Sequence, residues 1–229
     1  MVAQADKKME TTQQAKVILI TGASGGLGIY LTQYFLEIGY LVVAQHHQNN
    51  IELPLNERLL LCKADLTRER DIQQLFENIE EKWGGVDILI NNAGVSNSSV
   101  LWKTTTEDWQ NSLDVNLTAP FLMSRYAVAK MRENGWGRII HISSVVAQQG
   151  VLGTAAYAAS KAGLFGLTKN MGVELAPFGI TVNCIALGYF NQGMIKDVPA
   201  ELQEQIISKI PLKKLGEPEA ICKLIGFLI

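Results

Sequence analysis

The stretch KVILITGASGGLG, residues 16–28, decides the fold. KVILI (16–20) is a short unbroken apolar run, as expected of a strand buried on both faces. It passes directly into TGASGGLG (21–28), and a helix follows from about Gly26 to Ile38. Gly22 permits the tight turn, while Gly26 and Gly28 allow close backbone approach. Ser24, Gly25 and Leu27 complete the loop. A helix start carries N–H groups without intrahelical acceptors and the positive end of the helix dipole, which together seat a pyrophosphate. A plain turn with packing glycines is the alternative. The flanking strand and helix favour dinucleotide binding.

The same alternation continues down the chain. Apolar strands are read at 40–44, 58–64, 86–90, 137–143 and 180–186. Helices are read at 69–83, at 107–133, from the AAYAASKAG segment to about Ala176, and near 199–209 and 217–228. Strands separated by helices imply an α/β fold with a doubly wound parallel sheet. One domain over 16–229 is expected, preceded by a flexible polar tail over 1–15. Only residues 45–57, with Pro54 inside, join the second and third strands. Such a crossover leaves little room for a helix, so the sheet is expected to be thinly covered there.

Composition narrows the function. A net charge of −2, from 20 basic and 22 acidic residues without blocks of like sign, gives no electrostatic reason for a nucleic-acid or membrane partner. Cys62, Cys184 and Cys222 are scattered and show neither a disulfide framework nor zinc-ligand spacing. The first residues lack the apolar core of a signal peptide, and no apolar run reaches membrane-spanning length. The expected location is cytoplasmic.

Further motifs accompany the glycine loop: NNAG at 91–94, DVNLTAPF at 114–121, and Tyr157 four residues before Lys161. In this order the sequence resembles the short-chain dehydrogenase/reductase family. The family's Thr-Gly-x-x-x-Gly-x-Gly motif corresponds to Thr21, Gly22, Gly26 and Gly28, and its Tyr-x-x-x-Lys pair to Tyr157 and Lys161. Its serine, thirteen residues before the tyrosine, is Ser144, and its helix asparagine is Asn116. The resemblance spans about Lys16 to Ile229 and implies a Rossmann-like sheet.

Ketone reduction needs a hydride donor and a proton donor at the oxygen. A free tyrosine titrates near about 10, and an ammonium one helical turn away is expected to lower that value. The resemblance gives Tyr157 the proton transfer, Lys161 the nicotinamide ribose, and Ser144 the substrate oxygen. A turn cap is the plain reading of Ser144, and Ser143 beside it is expected to be structural. Pro120 lies four residues after Asn116 and has no N–H, so a local kink with a free Asn116 carbonyl is expected. The family uses that position for a water in a proton relay. Asp65 and Leu66 resemble the residues meeting the adenine, and Asn92, Ala93, Gly94 and Gly188 would line the cofactor.

The ribose-selecting position after the second strand is His46, which is not acidic, and a basic residue common in the glycine loop of NADP-preferring members is Gly25 here. His46 and His47 suit a 2′-phosphate, especially when protonated, so NADP(H) is expected in preference to NAD(H). The pair has no third ligand for a metal, and none is expected.

Within the family, the 3-oxoacyl-thioester reductases are most similar. The arginines with which they grip a carrier protein correspond to Gly135 and Phe178, their glutamine before the tyrosine to Thr154, their Pro-Gly to Leu187-Gly188, and a nicotinamide-binding threonine to Gln192. The resemblance therefore points to an acyl-thioester substrate, away from a carrier protein. A CoA thioester or a small ketone or alcohol stays open. So do an NAD-dependent dehydrogenase of a secondary alcohol and a cofactor-binding protein without turnover. Residues 189–214 are expected to form a mobile substrate lid. Family members continue into a seventh strand, so the sixth (180–186) is expected at an edge, with weakened tetramer assembly or a substitute cover. An incompletely recorded sequence would look the same. A homodimer through the helices near 107–133 and 155–176 is the default.

Overall fold

The computed structural model describes residues 15–54 and 56–229, so the expected tail over 1–15 lies, but for Ala15, outside the described residues. Six parallel strands form one sheet: β1 (Val17–Ile20), β2 (Leu41–His46), β3 (Leu59–Lys63), β4 (Ile88–Asn91), β5 (Gly137–Ser144) and β6 (Ile180–Leu187). Their order is β3-β2-β1-β4-β5-β6. The helices are α1 (Gly26–Glu37), α2 (Glu69–Trp83), α3 (Thr106–Leu113), α4 (Ala119–Asn134), α5 (Ala155–Leu175), α6 (Ala200–Lys209) and α7 (Pro218–Leu228). No helix among the described residues is long and apolar enough to cross a membrane.

The sheet is buried on both faces because successive side chains point to opposite sides. Leu19, Val43, Leu89 and Ile139 pack with Ile72 and Leu75 of α2, Met123 of α4 and Met171 of α5. On the other face, Ile18, Ile20, Val42, Ile88 and Ile140 pack with Leu31 and Phe35 of α1 and Ile225 of α7. The β2–β3 connection contains no helix among its described residues. Buried Ile51 and partly buried Leu53 take its place on the α1 face, while Leu61 of β3 remains 42% exposed.

One expectation needs correction. The second strand extends past Ala44 to His46, because Gln45 and His46 are polar yet buried. Gln45 Oε1 accepts from Gly22 N at 2.9 Å and its Nε2 donates to Ala64 O at 2.8 Å. The helix read over 107–133 is interrupted where the kink was expected, by a π turn over Asp114–Thr118 closed by Ala119 N on Asp114 O. Pro120 cannot donate to the Asn116 carbonyl, and the wider turn accommodates that loss.

The glycine turn is shaped by contact. Gly22 has φ +64°, and a Cβ there would lie 2.8 Å from Ala93 Cα. A Cβ on Gly28 would lie 2.3 Å from Gly22 O and 2.6 Å from Ala23 Cα, both backbone atoms of the turn. Gly28→Ala is therefore expected to destabilise the fold by about 3 kcal/mol or more, read as a lower urea midpoint at unchanged m value. An unshifted midpoint would contradict this packing.

Candidate active site

The C-terminal ends of β1, β4 and β5 meet the start of α5, where open α/β sheets bind ligands. Thr21 Oγ1 accepts from Asn92 N and Ala93 N, each at 3.0 Å. Asn92 Nδ2 returns to Thr21 O at 2.9 Å and Gly22 O at 3.2 Å. These bonds clasp the glycine turn to NNAG. The turn itself is closed by Gly25 N on Gly22 O at 3.1 Å, past Ser24. Leu27 is buried beneath it, and Leu66 is buried just after β3.

Asn116, Lys161 and Gly94 come together behind this clasp. A Cβ on Gly94 would stand 3.2 Å from Asn116 Oδ1 and 3.3 Å from Lys161 Nζ. Asn116 is fully buried; its Oδ1 accepts from Val95 N at 2.8 Å, and its Nδ2 donates to Val95 O at 2.9 Å and Ser160 Oγ at 3.1 Å. Lys161 Nζ donates to Ile142 O at 2.8 Å, and Ser143 Oγ donates to Lys161 O at 2.8 Å, the structural task read for Ser143. Burial lowers the Lys161 ammonium to about 8.

Ser144 and Tyr157 are brought together by the end of β5 and the first turn of α5. Ser144 Oγ accepts from Val146 N at 3.2 Å, so it is a turn cap as well as a neighbour of the phenol. The Tyr157 phenol titrates above its ordinary value: burial raises it, the Ser144 hydrogen bond opposes this, and Tyr189 adds to the rise. The net shift is thus opposite in direction to the lowering expected from Lys161. The ammonium lies 5.9 Å from the Tyr157 ring centroid and is bonded to a backbone carbonyl, so desolvation prevails.

The end of β2 joins His46, His47 and Asp65, named from the sequence, to Lys63 and Arg68, which sequence reading missed. His46 ends β2 opposite Lys63, is buried, and has Nδ1 without a partner. Beside it a recess of about 300 Å³ is lined by His47, Lys63, Ala64, Asp65, Arg68 and Asp71. Asp65 Oδ1 accepts from Thr67 N at 3.0 Å and Thr67 Oγ1 at 2.7 Å, and its Oδ2 faces Arg68 Nε at 3.4 Å. Burial pushes the Asp65 carboxyl up, but the Thr67 bonds, with His47 and Arg68, outweigh it and hold the group below the usual range. Lys63 and Arg68 flank Asp65 in sequence, which was the available signal. A groove of about 740 Å³ between β3 and α2 contains none of the sequence-read site residues.

Gly188 follows β6 in open space. Gly135 is the left-handed cap of α4, and Phe178 carries Arg132 over its ring at 4.5 Å. The donor set fits a nicotinamide dinucleotide: a helix start floored by glycine, a cradle at Gly94 that a Cβ would fill, and an unpartnered buried imidazole nitrogen.

Burial of Lys161 sets a pH dependence. Its ammonium is disfavoured in the fold, so the destabilisation is full below pH 8 and disappears as pH rises towards 10.5. The stability of wild type relative to Lys161→Met is expected to rise by about 3 kcal/mol across that interval in denaturant titrations. A pH-independent difference would contradict a buried free amine.

Comparison with known proteins agrees with this geometry. The family model described as short chain dehydrogenase matches residues 16–203. The chain is 37% identical over 218 residues to an acetoacetyl-CoA reductase of Rhizobium meliloti, covering 93% of this chain and 90% of the relative. It is 37% identical over 226 residues to a 3-oxoacyl-(acyl-carrier-protein) reductase of Buchnera aphidicola, covering 96% and 91%. A nodulation protein G of Azospirillum brasilense is 34% identical over 221 residues, covering 93% and 90%. The chain belongs to the short-chain dehydrogenase family of oxidoreductases.

Proposed function

We propose that this protein reduces a 3-oxoacyl thioester to the 3-hydroxyacyl thioester with NADPH. The observation that carries the reading is the Ser144–Tyr157 contact, with a phenol kept protonated by burial in front of the buried Lys161 amine. A reduced nicotinamide, when bound, supplies the hydride. Ser144 Oγ orients the ketone oxygen. Tyr157 Oη gives its proton to that oxygen, so ketone, hydride and proton become a secondary alcohol. A raised phenol pKa suits a proton donor, because the donor is fully loaded at neutral pH. The Lys161 ammonium stabilises the phenolate left behind, and Asn116 holds the loop beside it. The helix start at Gly26–Gly28, with Gly22 and Gly25, would seat the phosphates.

NADP(H) in preference to NAD(H) is supported by the cations lining the recess, Lys63 and Arg68, with the imidazoles of His47 and, adjacent, His46. The two carboxylates there are engaged, Asp65 by Thr67 and Asp71 by Asp65 N at 3.1 Å. A CoA thioester fits the printed name of one group of relatives, and the absence of arginine at Gly135 and Phe178 weighs against a carrier protein. Exposed Phe121 on α4 and Val173 on α5 support a homodimer through these helices.

The test is oxidation of NADPH and of NADH on adding acetoacetyl-CoA, with binding of each measured by fluorescence. NADPH is expected to be the tighter ligand and to be oxidised. Arg68→Ala is expected to weaken NADPH about tenfold, the worth of one charge-assisted hydrogen bond, and to change NADH by less than about twofold. Equal affinity for both, unaltered by Arg68→Ala, would overturn the NADP(H) assignment.

A further inference from the structure

The segment after β6 lies directly on the glycine turn. A Cβ on Gly26 would fall 2.3 Å from Gly193 N and 3.2 Å from the Gln192 carbonyl carbon, so strap and helix start touch backbone to backbone. Gln192 is extended, and Gly193 turns the chain with φ +68° into a short 3-10 helix over Gly193–Asp197. Gln192 Nε2 donates to Tyr30 Oη on α1 at 3.3 Å, the side-chain hydrogen bond joining strap to helix among the described residues. The other end of the strap is anchored separately. Phe190 bridges Gly216, Asn191 N donates to Gly216 O at 2.9 Å, and Gly216 N donates to Tyr189 O at 3.0 Å.

The amides of Gly26, Leu27 and Gly28 begin α1 and have no intrahelical acceptor. They are the donors a pyrophosphate would use, and Gly193 fills the space left by the missing Cβ of Gly26, the space through which a pyrophosphate would approach them. Strap and dinucleotide therefore compete for the same surface. Anchorage at Gly216 leaves residues 192–193 as the part that can lift, and Gln192 and Tyr30 close it.

We infer that Tyr30 and Gln192 form a latch holding the strap over the phosphate seat, so that opening of the latch governs admission of the dinucleotide. The inference rests on the cofactor reading above and adds residues that do not touch the reacting atoms; both are positioning residues. A gate of this kind has a kinetic signature. At high ligand concentration the observed binding rate reaches a plateau equal to the opening rate. Loss of one neutral hydrogen bond raises that plateau by about fivefold.

The experiment is stopped-flow fluorescence of NADPH binding to the full chain, for wild type, Tyr30→Phe, Gln192→Leu and the double variant. Tyr30→Phe removes only the hydroxyl, and thermal unfolding checks that each variant folds. The expected result is a saturating rate in wild type, with a plateau about fivefold higher in each single variant and no further rise in the double variant. A wild-type rate that stays linear in NADPH, or plateaus that do not differ, would overturn the latch and leave the proposed function standing. Failure of NADPH to bind at all would overturn both.

Discussion

One hydroxyl joins the two halves of the ligand site. Thr21 Oγ1 receives Asn92 N and Ala93 N, and Asn92 answers with its amide on Thr21 O and Gly22 O. The clasp works only because Gly22 has no Cβ to meet Ala93. It brings the turn after β1 within van der Waals reach of the turn after β4. Gly94 then lies over Asn116 and Lys161. Gln45 extends the clasp sideways, linking Gly22 to Ala64 at the end of β3. One chain of hydrogen bonds thus joins the ends of β1, β2, β3 and β4 around the glycine turn.

Electrostatics at the centre is governed by burial more than by pairing. Lys161 is 3% exposed, and this loss of water weakens its ammonium even though a backbone carbonyl accepts from it. Tyr157 is raised by the same loss of water. Each shift favours the neutral form, and together they leave a protonated phenol beside an amine that is still mainly cationic at neutral pH. That is a suitable starting state for the proposed reduction, in which the tyrosine would give a proton and the lysine would then face an anion.

The strands and most helices were legible because they rest on local pattern. The α2 boundaries, Glu69 to Trp83, follow from apolar periodicity and a left-handed Gly84 stop. The end of β2 was not legible, because Gln45 and His46 are polar residues whose burial depends on partners elsewhere in the chain. Pro120 announced an interruption in the long helix but not its resolution as a π turn. The spacing of Tyr157 and Lys161 gave their shared face, yet spacing carries no information about desolvation, so the sign of the tyrosine shift was missed. Lys63 and Arg68 gain meaning only when β3 lies beside β2. The contact of Gly193 with Gly26 joins positions 167 residues apart and left no trace in local sequence.

The central claim is that Tyr157 delivers the proton in a reaction the rest of the site only prepares. The direct measurement is the rate of acetoacetyl-CoA reduction by NADPH in wild type and Tyr157→Phe, with NADPH affinity determined on the same samples. The account predicts a loss in kcat of about a thousandfold, with NADPH affinity within about twofold of wild type. A variant that binds NADPH normally and reduces the thioester at close to the wild-type rate would contradict it.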